Sequence, residues 1–293
     1  MTKSFKVAGH VFSVEFSDNS PIWTRLEQYD PFLCDNVENP LFRFRMTDAL
    51  PEGERTLVFD APVEDGQTVI RLYRQGGYYV FDMSPEQHIP ICAHLITTED
   101  FRSGMLKMES RRASDVMFAV NNSLMLLYAF CTSTLDTLEM HASVIVNGGK
   151  SYLFLGKSGT GKSTHSSLWL KHIEGSVLMN DDNPIVRVLE DGTVMAYGSP
   201  WSGKTPCYKN MEAPVGAFVR IRQCPENRIE QLGIVESYAN LYSSSSGLKT
   251  DREMADGLHR TMEKIALGVP FYLLDCRPDK EAAELSFKTV KGL

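Results

Sequence analysis

The stretch that decides the fold of this chain is the glycine-rich run at residues 156–163, Gly156-Lys157-Ser158-Gly159-Thr160-Gly161-Lys162-Ser163. It matches the pattern GxxxxGK[ST], a loop whose backbone N–H groups wrap the phosphates of a nucleotide. Glycine is needed where the backbone turns with positive φ and approaches a ligand without a Cβ in the way. Lys162 is expected to supply a point charge to the β- and γ-phosphates, and the Ser163 hydroxyl is expected to bind Mg²⁺.

The flanking sequence favours this interpretation over a solvated Gly/Ser turn. The apolar run Tyr152–Leu155 before the loop is typical of a buried strand. Residues 162–173 after the loop are typical of a helix with Leu168, Trp169 and Ile173 turned inward. A helix that begins at the loop adds a partial positive charge to the phosphate site. Strand, loop and helix therefore come in the order that a nucleotide site requires.

The composition is that of a globular protein long enough for two cores: 293 residues, 43% hydrophobic and 23% charged. A net charge of −7 argues against a general nucleic-acid surface, because binding to a phosphate backbone requires a positive face. Six widely spaced cysteines without CxxC spacing, and a polar N-terminus without a signal region, predict a reducing cytoplasm and buried thiols. The most apolar stretch, residues 113–134, is interrupted by Asn121, Asn122 and Ser123, and we expect a core helix there and no membrane span.

The pattern along the chain predicts three parts: a β-rich N-terminal domain at 1–110, a connecting helix at 111–136, and a nucleotide-binding domain at 137–293. In the first part, period-two alternation predicts antiparallel sheet, with a hairpin at Gln75-Gly76-Gly77 and a polar loop at 62–67. The predicted strands there are 5–16, 41–46, 56–60, 69–73 and 78–83.

In the third part, strands around Asn147-Gly148-Gly149 predict a second hairpin that leads directly into the glycine-rich loop. Ser243-Ser244-Ser245-Ser246-Gly247 has the composition of a flexible connector, either a solvated linker or a flap over the site. The other predicted strands are 176–180, 185–189, 194–197, 215–222, 228–232 and 271–276, and the predicted helices are 234–241 and 251–267.

Asn180-Asp181-Asp182 follows a predicted apolar strand and is the second informative feature. Ligands of open α/β sheets bind at the carboxyl ends of strands, so this acid pair is expected to face the same crevice as the loop. One carboxylate would hold Mg²⁺ with Ser163, and the other would take the proton of an attacking hydroxyl. The alternative is a solvated turn, because Asp, Asn and Pro are all turn formers.

Two further candidates are weaker. His141 precedes the strand 142–146, and the hairpin would bring it towards the end of the strand pair, although a single histidine is usually structural. Residues 198–204 form a Gly/Ser/Pro-rich loop that could aim Lys204 at a transferring phosphoryl group. A surface turn with a solvated lysine is the alternative.

Residues 141–144, 156–164 and 180–182 together resemble the C-terminal domain of HPr kinase/phosphorylase and its small relatives, which share a nucleotide core with ATP-dependent phosphoenolpyruvate carboxykinase. The resemblance covers roughly residues 138–290. It implies an α/β (α+β) fold, a P-loop-containing core of strands flanked by helices. Relatives in this family are often homo-oligomers, and no interface signal in this sequence decides its assembly.

The resemblance also implies roles for individual residues. Lys162 would contact the β- and γ-phosphates of ATP, Ser163 and Asp182 would serve Mg²⁺, Asp181 would be the general base, and His141 would lie beside the γ-phosphate. Lys204 is also a catalytic candidate, but only because of the composition of the loop that carries it. The loop residues expected to contact nucleotide are Gly156, Ser158, Gly159, Thr160, Gly161, Lys162, Ser163 and Thr164.

The sequence therefore predicts an ATP- and Mg²⁺-dependent kinase acting on a hydroxyl of a protein or a small molecule. It has no counterpart of the Arg-Gly-rich signature of true HPr kinase/phosphorylases after the acid pair, which leaves HPr unsupported as the acceptor. A nucleotide-binding regulatory module without phosphoryl transfer is the alternative from another class. A carboxykinase-like enzyme is a third, weaker one, since the chain is short and has no evident oxaloacetate domain. Residues 1–110 resemble no family that we can name.

Overall fold

In the computed structural model, the described residues 1–60, 68–203 and 205–293 form two compact units, Met1–Cys131 and Thr132–Leu293. Each unit contains a large mixed sheet, so the fold class is mixed α/β. The predicted loop at 62–67 and the candidate Lys204 lie outside the described residues.

The first unit is built on a nine-stranded sheet with the order β3-β1-β2-β4-β9-β8-β7-β6-β5. The prediction of a wholly antiparallel sheet is wrong in one respect, because β4 pairs in parallel with both β2 and β9. The predicted hairpin at Gln75–Gly77 is confirmed between β6 and β7. The strands are β1 (Thr2–Val7), β2 (His10–Glu15), β3 (Leu33–Cys34), β4 (Arg43–Met46), β5 (Arg55–Asp60), β6 (Val69–Gln75), β7 (Tyr78–Ser84), β8 (Ala93–Thr97) and β9 (Ser103–Met108).

The single strand predicted at 5–16 is wrong, because it is a hairpin. Ala8 and Gly9 have φ of 48° and 86° and turn the chain between β1 and β2. The apolar alternation continues on both sides of this turn, so periodicity alone did not reveal it. Gly9 supplies one of the two positive φ values without a Cβ penalty.

Helix α1 (Ala113–Thr132) ends at the boundary between the two units. By length and composition it is the one helix among the described residues that could cross a membrane, and half of its apolar window is buried in the fold. A core helix passes the same test.

The second unit contains the glycine-rich loop. Its strands are β10 (Thr137–Glu139), β11 (Ala142–Asn147), β12 (Lys150–Leu155), β13 (Val177–Asp182), β14 (Ile185–Val188), β15 (Val194–Tyr197), β16 (Glu212–Gln223), β17 (Arg228–Gln231) and β18 (Phe271–Cys276). Its helices are α2 (Lys162–His172), α3 (Ile234–Ser244), α4 (Arg252–Gly268) and α5 (Lys280–Lys291). The sheet order is β10-β14-β15-β16-β12-β11-β13, with β18 beside β16 and β17 beside β18.

Apolar side chains cover both faces of this sheet. On one face, Trp169 of α2 and Ala282 of α5 pack in a core with Phe154 and Ile221. On the other face, residues of α3 and α4 such as Leu241 and Met262 complete the second core. The sheet is therefore packed between helices on both faces.

The expectation of a flexible connector at 243–247 is wrong for most of the segment. Ser243 and Ser244 belong to the end of α3, and Ser244 and Ser245 are buried. The backbone of this segment is paired with the strand that leads to β11: His141 N donates to Ser244 O at 2.7 Å, and Ser246 N donates to Glu139 O at 2.9 Å. The serines are therefore part of the packed structure.

Candidate functional site

Strand register brings the predicted site residues to one end of the second sheet. β11 lies between β12 and β13 and is antiparallel to both, so the carboxyl ends of β12 and β13 coincide with the start of β11. Ala142 pairs with Leu155 on one side and with Asp182 on the other. The glycine-rich loop that begins at Gly156, the residue His141 and the acid pair therefore meet at this edge.

The loop itself has the backbone that its glycines predict. Gly159 and Gly161 have φ of 79° and 103°, which L-residues with a side chain rarely adopt. A Cβ placed on either of them would meet no atom within 4 Å, so the space in front of these two residues is open. A ligand can therefore approach this backbone closely, at the N-terminus of α2.

Lys162 is the first residue of α2, and its side chain turns back over the loop. Its Nζ donates to Gly156 O at 2.9 Å and to Lys157 O at 3.4 Å, and the residue is buried. Burial lowers the pKa of its ammonium group, while Asp182 and Asp181 raise it. The two carboxylates therefore favour the charged form of the loop lysine.

Asp181 and Asp182 are the last two residues of β13, so the strand runs through the acid pair and does not stop before it. Asp181 is buried, and its carboxylate has no hydrogen-bond or ion-pair partner among the described residues. Its backbone carbonyl accepts from Gly203 N at 2.7 Å and from Ser202 Oγ at 3.4 Å. The alternative of a solvated turn does not describe this segment.

His141 lies beside the second acid. Its Nε2 is 3.7 Å from Asp182 Oδ1, and the two side chains are 44% and 35% exposed. Burial and the neighbouring charge of Lys162 lower the pKa of the imidazole, and Asp182 opposes them. Burial thus favours the neutral form of His141, next to a carboxylate that remains accessible.

Glu139 is a buried carboxyl group near this site that sequence reasoning missed. Burial raises its pKa to about 7, Asp182 adds to the increase, and Ser246 opposes it. The signal in the sequence was an acidic residue inside the apolar run Leu138 to Val146.

Residues 198–203 pack against the acid pair, so a surface turn is the wrong description of the part that is described. Ser199 and Trp201 are buried, and Asn180 Nδ2 donates to Ser199 Oγ at 3.2 Å and to Trp201 O at 3.0 Å. A Cβ on Gly203 would lie 2.9 Å from Asp181 O and 3.1 Å from Asp182 Cβ. Only a residue without a side chain fits this approach.

The remaining loop residues lie around the open space. Thr160 Oγ1 donates to Lys157 O at 2.8 Å, which shapes the loop from within. Ser158, Ser163 and Thr164 are exposed. Their hydroxyl groups are available to a ligand or a hydrated cation.

Two cavities adjoin the loop. Cavity 1, about 590 Å³, lies between the start of α2 and the ends of β16 and β18. Cavity 2, about 700 Å³, is lined by residues 157–160 of the loop, by β16 and by α3. Arg220 of β16 lines cavity 2 and acts on Lys162, whose pKa it helps to lower. Sequence reasoning missed Arg220, although an arginine between Val219 and Ile221 in a buried strand was a visible signal.

Comparison with known proteins gives little further information. No protein-family model matches the chain, and no curated protein matches it. Among solved structures it is similar to the Hpr(Ser) kinase/phosphatase from Coxiella burnetii, with 13% sequence identity and a TM-score of 0.32, over 53% of this chain and 88% of that chain. The function proposed below therefore rests on the residues of this chain.

Proposed function

We propose that this chain is an ATP- and Mg²⁺-dependent kinase that transfers the γ-phosphoryl group to a hydroxyl group of a protein or a small molecule. The observation that carries the proposal is the register of β12, β11 and β13, which brings a glycine-rich loop, a lysine, a histidine and two carboxylates to one sheet edge. Phosphoryl transfer is catalysed by positioning and by electrostatic stabilisation, which these groups are able to supply.

The loop would bind the polyphosphate. The backbone of Gly159 and Gly161 borders open space at the N-terminus of α2, where amide groups and the helix dipole favour an anion. Lys162 would exchange its hydrogen bonds to Gly156 O and Lys157 O for oxygens of the β- and γ-phosphates. Because burial lowers its pKa, a polyanion would also stabilise the charged form of this lysine.

The residues present fit a magnesium ion. The hydroxyl of Ser163 and the carboxylate of Asp182 are hard oxygen ligands, and both are accessible. No cluster of three or more metal-ligating side chains occurs in the described part of the chain. Mg²⁺ at kinase sites is commonly held by one or two protein oxygens together with the nucleotide phosphates and water, which agrees with this sparse donor set. The ion would neutralise charge on the phosphate oxygens.

Asp181 would act as the general base. The residue is buried, its carboxylate has no hydrogen-bond or ion-pair partner among the described residues, and its backbone is fixed by Gly203 and Ser202. The oxygen of the attacking hydroxyl would bond to the γ-phosphorus, and the bond from that phosphorus to the β–γ bridging oxygen would break. ADP would leave with the electron pair, and the hydroxyl proton would pass to Asp181.

His141 would lie beside the transferring group. The lowered pKa favours the neutral imidazole, which can donate one hydrogen bond without adding a full charge. Cavity 1 would hold the nucleoside, because Leu168, Ile221 and Pro225 give it apolar walls next to the loop.

Replacing Asp181 with asparagine tests the catalytic part of the proposal. General-base assistance contributes about 10² to 10⁴ in rate. We therefore expect Asp181→Asn to lower kcat by about that factor while the affinity for Mg²⁺–nucleotide stays close to wild type. The measurement is transfer of label from γ-labelled ATP to free L-serine and to acceptors in a cell extract, with nucleotide affinity measured in parallel.

Glu190→Gln is the matched control, because it also converts a carboxylate to an amide, at an exposed position with no partner among the described residues. It should leave both quantities unchanged. Unchanged turnover in Asp181→Asn would exclude Asp181 as the general base. Nucleotide occupancy without transfer to any acceptor, in the wild-type protein, would support the regulatory module instead.

A further inference from the structure

Arg220 is a cation without a counter-ion in the part of the chain that the structure describes. Its side chain is half-buried, and no hydrogen bond or ion pair joins it to any described residue. Long cationic side chains are seldom held away from water unless they are paired, because removing a charge from water is costly. An unpaired guanidinium group in this position is therefore available for a ligand.

The sheet fixes where this guanidinium group lies. Arg220 pairs with Leu155 of β12 on one side and with Leu273 of β18 on the other. Leu155 is the residue immediately before the glycine-rich loop. Val219 and Ile221 pack in the core that contains α2 and α5, so strand alternation turns Arg220 to the opposite face, where it lines cavity 2.

The charges around cavity 2 favour an anion. Three cationic residues line it, and they are Lys157, Arg220 and Arg222. Arg222 is already paired, because its Nε and Nη2 donate to the Asp275 carboxylate at 2.5 and 2.7 Å. Among the described residues of the lining, the carboxylate is that of Glu236, which accepts from Gly233 N at 3.0 Å at the start of α3. Lys157 and Arg220 are left as cations without a carboxylate partner among the described residues.

We infer that Arg220 forms an oxyanion-binding site in cavity 2, beside residues 157–160 of the glycine-rich loop. The planar guanidinium group suits a phosphate or a carboxylate, which it can bind through two parallel hydrogen bonds. Two sources carry this chemistry: the terminal phosphate of the nucleotide and an anionic group on the acceptor. The inference deepens the proposed function and rests on it for the position of the nucleotide.

The test uses the full chain and three probes: Mg²⁺–ADP, the Mg²⁺ complex of a nonhydrolysable ATP analogue, and inorganic phosphate added to protein saturated with that complex. Hydrogen bonds to charged groups are strong enough that Arg220→Gln should weaken binding by about tenfold to a hundredfold. If Arg220→Gln loses affinity for the ATP analogue but not for ADP, the site binds the terminal phosphate of the nucleotide. If the variant loses affinity for inorganic phosphate alone, the site binds an anionic group of the acceptor.

Two further variants complete the test. Arg252→Gln removes the same charge from an arginine that is 97% exposed at the start of α4, and it should bind every probe as the wild type does. Arg220→Lys keeps the charge but loses the planar fork, so its affinity should lie between those of the wild type and Arg220→Gln. This series also separates lost binding from misfolding, since Arg220→Lys preserves the long cationic side chain.

Wild-type affinity of Arg220→Gln for all three probes would overturn the inference. If Lys162→Ala nevertheless weakened binding of the ATP analogue, the phosphate loop and the proposed function would stand without this site. If neither Arg220→Gln nor Lys162→Ala weakened binding of any probe, the proposed function itself would fail.

Discussion

At the scale of single residues, the candidate site depends on the electrostatic interaction between Lys162 and the acid pair. The lysine is bound to carbonyl groups of its own loop, and the acids stabilise its charge. Binding a polyphosphate would replace hydrogen bonds from the ammonium group to neutral carbonyls with hydrogen bonds between two oppositely charged groups.

Gly203 gives a prediction at this scale. An added Cβ would stand 2.9 Å from Asp181 O, a distance at which the backbone must shift. We expect Gly203→Ala to displace the acid pair and to lower kcat by about tenfold or more, because small misplacements of catalytic groups are costly. Steady-state kinetics with γ-labelled ATP measures the effect.

Gly268→Ala is the control for this substitution, because a Cβ at the end of α4 meets no atom within 4 Å. It should leave kcat unchanged. Full activity in Gly203→Ala would show that the close contact with Asp181 does not position the acids.

At the scale of elements, helix α2 is tied to α5 by a buried polar group. Ser286 Oγ accepts from Trp169 Nε1 at 2.9 Å, lies 3.0 Å from His165 Nε2, and can donate to Ala283 O at 3.0 Å. A hydroxyl group has one proton. When Ser286 donates that proton to Ala283 O, the His165 imidazole must be the donor in the bond between His165 and Ser286. His165 therefore anchors the helix that begins with the loop lysine.

This anchor predicts a pH-dependent stability. Burial lowers the pKa of His165 from 6.5 to about 4, so the folded state binds fewer protons than the unfolded state between these values. The contribution of His165 to the free energy of unfolding is therefore fully present above about pH 6.5. It is lost as the pH decreases towards 4, by about 2 kcal/mol between pH 7.5 and 5. Urea unfolding at the two pH values measures the change.

His165→Asn removes this ionisable group and should unfold with a weaker dependence on pH. His172→Asn, at the other end of α2, should keep the wild-type dependence. Equal pH dependence in all three proteins would exclude His165 as the group responsible.

Sequence periodicity predicted elements well where local signals were strong. The hairpin at 147–149 and the order of strand, loop and helix around Gly156 follow from turn glycines and apolar runs, and both are present. Composition was misleading where tertiary pairing decided the outcome. Ser244 and Ser245 look like linker residues, but both are buried, and backbone hydrogen bonds join Ser244 to His141 and Ser246 to Glu139.

At the scale of the whole molecule, the described residues divide at Cys131 and Thr132 into two units, each with its own sheet. The candidate site belongs to the second unit, and its residues come from strands far apart in the chain. The sequence predicted that the loop and the acid pair would converge. It could not predict that β16 lies parallel to β12, because no local pattern encodes the pairing of strands separated by about sixty residues. For that reason the position of Arg220 beside the loop is seen only in the structure.

The most direct test of the central claim is isothermal calorimetry of the full chain with the Mg²⁺ complex of a nonhydrolysable ATP analogue. We predict binding of one nucleotide per chain, weakened about tenfold or more by Lys162→Ala, because a charge-assisted contact to the phosphates is lost. Lys171→Ala, which removes an exposed lysine near the end of the same helix, should bind as the wild type does. Absence of binding heat in the wild-type protein, or equal affinity in Lys162→Ala, would contradict the account.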